Sequence, residues 1–314
     1  MKLNELTYHY GLDPESLAMT LAWVMSGNKL GYLPDDLAPE LVFDNADAAI
    51  EVIHQVANRE GVGDLLAEGT ARAASRFGEE ARRRTVTCKD KELPVHEPRN
   101  KPALALAYGV GPIGPDYCVI EHDWDYSPDA YPYILKKSHA FGILHGTIED
   151  EHSNEKVAQL VHLQRWWSGA LETLLFDLFS VTPARYLPPT HIEQMCRAIT
   201  GWDLTIYEVM AAGERRITLF QEFNRRHGIN RYDDYLPPRM YDEPIPDGAH
   251  AGNRIDRGWY EDALDLYYDM SGFDWWGWPR ESKLRELGLS DVFESRPVAV
   301  RNHHDPTDRQ IGNR

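Results

Sequence analysis

Two groups of side chains in this sequence have the types and spacing to do chemistry. The first is Glu121-His122-Asp123, close after Cys118 and just beyond the run Gly109-Val110-Gly111-Pro112-Ile113-Gly114-Pro115. An imidazole between two carboxylates, with a thiol nearby, is the densest set in the chain able to bind metal or move protons. The small residues before it let backbone approach a ligand closely, although turn punctuation and a hydrogen-bonded polar loop account for the same residues. The second group is Glu172 and Asp177, set in a strongly apolar stretch. Carboxylates there need partners if buried, because uncompensated charge costs several kcal/mol. A third acid, Asp13, precedes Pro14 and suits the cap of a helix.

Other chemistries are excluded. The sequence has no P-loop, GxSxG or HExxH motif and no GxGxxG following a strand. Its three cysteines, Cys88, Cys118 and Cys196, are too few and too widely spaced for a disulfide framework or a CxxC knuckle. They cannot supply the four thiolates that usually hold an iron–sulfur cluster. With 50 acidic and 33 basic residues the net charge is -17, which repels phosphate backbones and argues against nucleic acid as a partner. No apolar run reaches the roughly 18 residues needed to span a bilayer, and Met1-Lys2 opens no apolar leader. The expectation is a cytoplasmic globular protein without membrane attachment.

The elements that must position these groups read as mainly helical. The periodicity predicts helices over about 13–26, 46–58, 64–77, 156–179, 190–200, 205–227 and 260–271. In the third, Leu66, Thr70, Ala73 and Phe77 share a stripe. In the fourth, Val157, Leu160, Gln164, Trp167, Leu171, Leu174 and Leu178 do so, and Val161, Ala170 and Leu175 widen it into a buried face. Thr85-Val86-Thr87-Cys88 reads as an extended edge, Leu93 to Arg99 as extended loop, and Tyr232 to Arg257 as a long surface loop rich in Pro, Asp and Gly. A boundary near residue 100 divides the chain into domains 1–100 and 101–314.

Several short segments, in order, resemble the aldehyde:ferredoxin oxidoreductases, tungsten- or molybdenum-pterin enzymes. They are Arg59-Glu60-Gly61-Val62-Gly63-Asp64-Leu65-Leu66-Ala67-Glu68-Gly69, Leu93-Pro94, Pro98-Arg99 and Ala105-Leu106-Ala107-Tyr108-Gly109. Thr200-Gly201, Ala212-Gly213-Glu214-Arg215, Phe223-Asn224, Gly228, Asp233-Asp234, Leu236-Pro237 and Lys283-Leu284-Arg285-Glu286-Leu287-Gly288-Leu289 follow. The resemblance covers nearly the whole chain and corresponds to the family's second and third domains, two packed helical domains.

The resemblance implies a bis-pterin cofactor carrying tungsten or molybdenum, contacted through two segments patterned DxxGL(C/D). Here these are Asp13-Pro14-Glu15-Ser16-Leu17-Ala18 and Glu172-Thr173-Leu174-Leu175-Phe176-Asp177. Asp13, Glu172 and Asp177, with Arg99 and Tyr108 from the shared segments, are therefore the expected cofactor contacts. His122 with Cys118 is expected on the substrate side. Asp177 stands where the family commonly has the fourth cysteine ligand of a [4Fe-4S] cluster; one carboxylate does not hold a cluster by itself. The other three ligands, a CxxCxxxC segment, belong to the part that precedes the helical domains in the family.

The implied partners are a chain carrying that segment and the β-rich pterin-binding domain, and ferredoxin. Together they would oxidise an aldehyde or reduce a related oxo substrate. The altered positions Ser16, Glu172, Leu175 and Asp177 leave open a cofactor-free helical interaction module, self-associating as a homo-oligomer, or a truncated, inactive relative.

Overall fold

Start and stop signals in the sequence are followed closely at the beginning of the chain. A computed structural model describes residues 2–116, 120, 122–181 and 187–294. Helix α1 (Lys2–Tyr10) leads into α2 (Pro14–Leu30). Asp13 caps α2, its carboxylate accepting from the backbone N–H groups of Glu15 (2.8 Å) and Ser16 (3.1 Å). The helix runs one turn past the predicted end and stops at Gly31, which takes the left-handed conformation. Helix α3 (Ala46–Asn58) has the predicted bounds.

The single helix expected over 64–77 is instead two short ones, α4 (Val62–Leu66) and α5 (Thr70–Ala74), with α6 (Gly78–Arg83) following. Gly69 breaks the run at φ 84°, and the Glu92 carboxylate accepts the Thr70 backbone N–H at 2.7 Å, so the second helix gains its own cap from a distant residue. Leu66, Thr70 and Ala73 are still buried. With Leu21, Trp23, Val24, Ile53 and Val56 they form a first core.

The extended edge is strand β1 (Thr87–Cys88), paired antiparallel with β2 (Lys91–Glu92). Next comes α7 (Pro102–Val110), buried along its whole length. After it come α8 (Pro132–Ser138), α9 (Asn154–Trp167), α10 (Leu178–Val181), α11 (Pro189–Thr200), α12 (Ile206–Arg226), α13 (Arg239–Asp242), α14 (Arg257–Ser271), α15 (Glu281–Glu286) and α16 (Ser290–Glu294), of which α9 and α14 pack directly on α7. Leu104, Tyr108, Leu160, Trp166, Tyr260 and Tyr267 form the centre of this second core. The architecture is mainly α, two packed helical cores, and the β1–β2 pair is the only sheet among the described residues. A cavity of about 450 Å³ between the cores is lined by Trp23, Tyr32, Arg83, Arg84, Arg239 and Glu243. None of the described helices is long and apolar enough to cross a membrane.

Two further expectations are corrected. The stretch 232–257 is not a simple surface loop, because Asp234, Leu236, Met240, Tyr241 and Ile255 are buried. Asp234 is held there by the Lys89 ammonium and the Tyr268 hydroxyl, and the Leu236 backbone N–H donates to the Tyr241 hydroxyl at 3.0 Å. The long helix expected over 156–179 keeps regular α geometry only to Trp167 and then widens into a π turn over Ser168–Thr173. Leu175, read as part of a buried face, has a φ of 60° and is 83% exposed.

Candidate functional site

Chain termination explains the second pterin-type segment. Leu174 N–H donates to Gly169 O at 3.1 Å and Phe176 N–H to Ala170 O at 3.3 Å, closing the π turn with a left-handed residue between them. That residue is Leu175, at the position where the DxxGL pattern has glycine. Glycine adopts this conformation without a Cβ clash, whereas an L side chain there costs about 1–2 kcal/mol. Replacing Leu175 by Gly is expected to raise stability by about 0.5–1 kcal/mol, once the extra freedom of an unfolded glycine is subtracted. Urea unfolding of the variant measures it, and a destabilised L175G would mean the leucine side chain makes a compensating contact.

The turn delivers Glu172 to Arg216 on α12, where carboxylate and guanidinium pair directly. Arg216 also lies 3.3 Å from Ser168 Oγ and stacks over the Phe220 ring, 4.5 Å from its centroid. Pro112 and Ile113 of the Gly/Pro run line the small cleft beside this pair. Partial burial raises the Glu172 carboxyl above its ordinary range, Arg216 opposes this, and Asp116 adds to it. Asp116 acts likewise on Glu15, which partial burial, Asp13 and Asp116 all push upward. Asp116, just after the Gly/Pro run, thus bears weakly on both Glu15 and Glu172.

Asp177 lies beyond the turn, exposed, accepting the Ser180 hydroxyl at 3.1 Å. Among the described residues no group of three or more His, Cys, Asp or Glu side chains is arranged to hold a metal ion. The acids described here suit a different role. Carboxylates at helix ends accept hydrogen bonds from ring N–H and amino groups such as those of a pterin.

The other predicted residues gather on the opposite approach to α7. His122 is half-buried, its ring 4.3 Å from that of His96, and Lys101 Nζ lies 3.1 Å from His122 Nδ1. The Tyr108 hydroxyl donates to the His96 carbonyl at 3.4 Å, so Tyr108 and His122 meet through His96. Arg99 is on the neighbouring turn but faces Glu97, in a two-pronged pair at 2.7 and 2.8 Å, and the Glu243 carbonyl. Cys118 and Glu121 lie outside the described residues. Asp123 serves the fold instead, being fully buried, capping α7 through the N–H groups of Ala103 and Leu104, and pairing with Lys156. Cys88 is inert, its thiol pushed up to about 12 by burial. Glu15, His96, Lys101, Asp116 and Arg216 had no sequence signal as site residues, because each gains its meaning from a residue distant in the chain.

Comparison with known proteins places the chain in a family. Residues 1–289 match the family described as aldehyde ferredoxin oxidoreductase, domains 2 and 3. The tungsten-containing aldehyde ferredoxin oxidoreductase of Pyrococcus abyssi is 30% identical over 303 residues, covering 93% of this chain and 45% of that protein. An aliphatic sulfonate oxidoreductase, WOR-like subunit, of Pyrococcus furiosus is 25% identical over 300 residues, covering 92% of this chain and 42% of that protein. Among solved structures, the active site complex BamBC of benzoyl coenzyme A reductase, in complex with 1,5-dienoyl-CoA, has the same fold. Its TM-score is 0.67 at 22% identity, over 90% of this chain and 45% of that one. The chain spans less than half the length of these relatives. It belongs to the aldehyde ferredoxin oxidoreductase family, of which it carries domains 2 and 3.

Proposed function

We propose that this chain is the helical part of a cytoplasmic oxidoreductase that binds a tungsten- or molybdenum-bis-pterin together with a β-rich domain supplied by a partner chain. The reaction is oxidation of an aldehyde to a carboxylic acid, or reduction of a related oxo substrate, with electrons exchanged with ferredoxin. The observation that carries this reading is the geometry of the second of these segments, where the π turn sets Glu172 against Arg216 beside Pro112 and Ile113 of the Gly/Pro run. When bound, the cofactor supplies the two-electron chemistry, and the protein supplies orientation and electrostatics.

Within that division this chain contributes in three ways. Asp13 and Glu172 accept hydrogen bonds from pterin N–H groups, Arg216 holding the Glu172 carboxylate in place. The Gly/Pro run lets backbone approach the cofactor closely. His122 faces the substrate side, with Arg99 and Tyr108 fixing the loop that carries His96 beside it. Asp177, exposed at the end of the turn, is the residue here that would neighbour an iron–sulfur cluster whose cysteines belong to the partner.

The test is co-expression with a partner carrying the β-rich domain and a CxxCxxxC segment, followed by metal analysis of the purified complex. The expected result is stoichiometric tungsten or molybdenum with iron, and aldehyde-dependent reduction of ferredoxin. A stable complex without tungsten or molybdenum overturns the proposal. A cofactor-free interaction module is the second reading, favoured by the exposure of Ile113, Leu175, Phe220 and Phe223 beside the site. That reading expects a soluble, metal-free homo-oligomer of this chain by light scattering.

A further inference from the structure

The cavity between the two cores is built on one face of α2. Met19, Ala22, Trp23, Ser26 and Leu30 all line it, with the three- and four-residue repeat of a single helical face. Its volume of about 450 Å³ is in the range that takes a small organic molecule. Met19, where the face begins, is roughly 9 Å up the helix from Asp13, so the cavity uses a different part of α2 from the contacts assigned to that cap. Tyr32 continues the wall beside Trp23, their ring centroids 6.3 Å apart, and Pro238 adds apolar surface. Burial pushes the Tyr32 phenol up to about 12, so this aromatic wall stays uncharged at neutral pH.

Glu80, Arg83, Arg84, Arg239, Asp242 and Glu243 line the same cavity, and their pairing leaves donors in excess. Glu80 accepts from Arg84 at 2.9 Å, and Glu243 faces Arg239 at 3.2 Å and Arg84 at 3.5 Å. Asp242 faces Arg257, outside the lining, at 3.9 Å. Arg83, exposed at the end of α6, pairs with none of the described residues. The Arg239 Nε is buried without an acceptor, although its Nη2 is engaged by Glu243. A buried N–H left without a partner is rare in a folded protein, and a guanidinium matches the planar oxygens of a carboxylate. The acids of the wall are spent, and what the cavity still offers is N–H on Arg83 and Arg239. Those same acids favour a ligand with one negative charge over a phosphate ester with two.

We infer that this cavity binds an aromatic carboxylate, its ring against Trp23 and Tyr32 and its charge recognised through Arg83 and Arg239. Arg83 extends from α6, which packs on the first core through Ala81, and Arg239 from α13, which packs on the second through Met240. A bound acid therefore ties the two cores together. The site needs neither cofactor nor partner chain and does not rest on the proposed reaction.

The experiment titrates the full chain by calorimetry with sodium benzoate and sodium naphthoate, against sodium acetate and benzyl alcohol at equal ionic strength. Saturable binding of the two aromatic acids is expected, about tenfold or more tighter than for acetate or the neutral alcohol. Binding should also raise the thermal unfolding midpoint, because the ligand holds the folded form. Arg83→Met should weaken binding about tenfold or more, the usual loss for a hydrogen bond to a charged group, and Arg83→Lys should retain part of it. Arg82→Met, the same loss of charge outside the cavity, should leave binding unchanged. If Arg83→Met fails to fold by circular dichroism, Ala22→Leu serves instead; it fills part of the cavity without altering a charge and should weaken naphthoate binding. No saturable binding, acetate bound as tightly as naphthoate, or equal effects of Arg82→Met and Arg83→Met overturns the site, as does unchanged binding in Ala22→Leu.

Discussion

Lys156→Met is expected to destabilise the protein by about 3–5 kcal/mol, although methionine nearly matches the volume of the lysine stem. Lys156 and Asp123 are both fully buried, with Nζ 2.8 Å from the carboxylate and 3.0 Å from the Glu149 carbonyl. Removing the ammonium strands an anion in the core, and the two backbone N–H groups of Ala103 and Leu104 replace only part of what it provided. A loss of this size is a large fraction of the ~5–15 kcal/mol that holds an ordinary domain together. Urea unfolding should therefore show a markedly lower midpoint, and adding Asp123→Asn should recover part of it because the stranded charge is gone. Lys2→Met at the exposed Lys2–Glu5 pair should leave the midpoint where it is. Equal midpoints for the two variants would show that Lys156 is hydrated rather than buried. The same pair anchors the start of α7, and Lys101 and His122 sit directly before α7 and before Asp123.

The helical class and the caps were legible in the sequence because they are local. Asp13-Pro14 specifies its helix start through its own neighbours, and Thr205 with Glu208 forms the reciprocal cap at the start of α12. Apolar periodicity located α3, α11 and α12 nearly to the residue. It failed over 64–77 and 156–179, where the stripe continues but the backbone does not. In the first case the break is made by a carboxylate, Glu92, from another part of the chain. In the second it is made by the approach of α12, which no periodicity records.

The site was half legible for the same reason. Family-like segments pointed to Asp13 and Glu172, yet the pairing of Glu172 with Arg216, 44 positions on, arises only through folding. The structure also changes the meaning of other shared segments. Glu214 of Gly213-Glu214-Arg215 accepts from Arg165 and from Lys283, the first residue of the Lys283–Leu289 segment. Asn224 of Phe223-Asn224 donates to the Pro112 carbonyl at 2.7 Å and so pins the Gly/Pro run. Asp234 fixes Lys89. These signatures are joints that hold the site, and chemistry is not what they carry.

Gly213 is the joint on which the cleft depends most, and Gly213→Ala is expected to destabilise by about 1–3 kcal/mol or more. Helix propensity alone predicts the opposite sign, a gain of up to about 1 kcal/mol for replacing a mid-helix glycine by alanine. Geometry decides between them. A Cβ at Gly213 would lie 2.0 Å from the Arg165 carbonyl oxygen and 2.5 Å from Gly169 N, both backbone atoms that cannot rotate away. A Cβ at Gly169 would meet the Val209 carbonyl oxygen at 2.1 Å, so the two glycines let α12 and the π turn touch backbone to backbone. Separating them moves Arg216, one turn along α12, away from Glu172. The expected result is a lower unfolding midpoint together with loss of the Arg216–Glu172 pair. The pair can be followed by whether Glu172→Gln still changes the midpoint in the Gly213→Ala background. The double variant Gly169→Ala, Gly213→Ala should cost less than the two single losses added, because the second methyl enters space the first has already opened. A Gly213→Ala protein more stable than the parent would mean that the helices do not cross this closely, and the geometry assigned to Glu172 would fall with it.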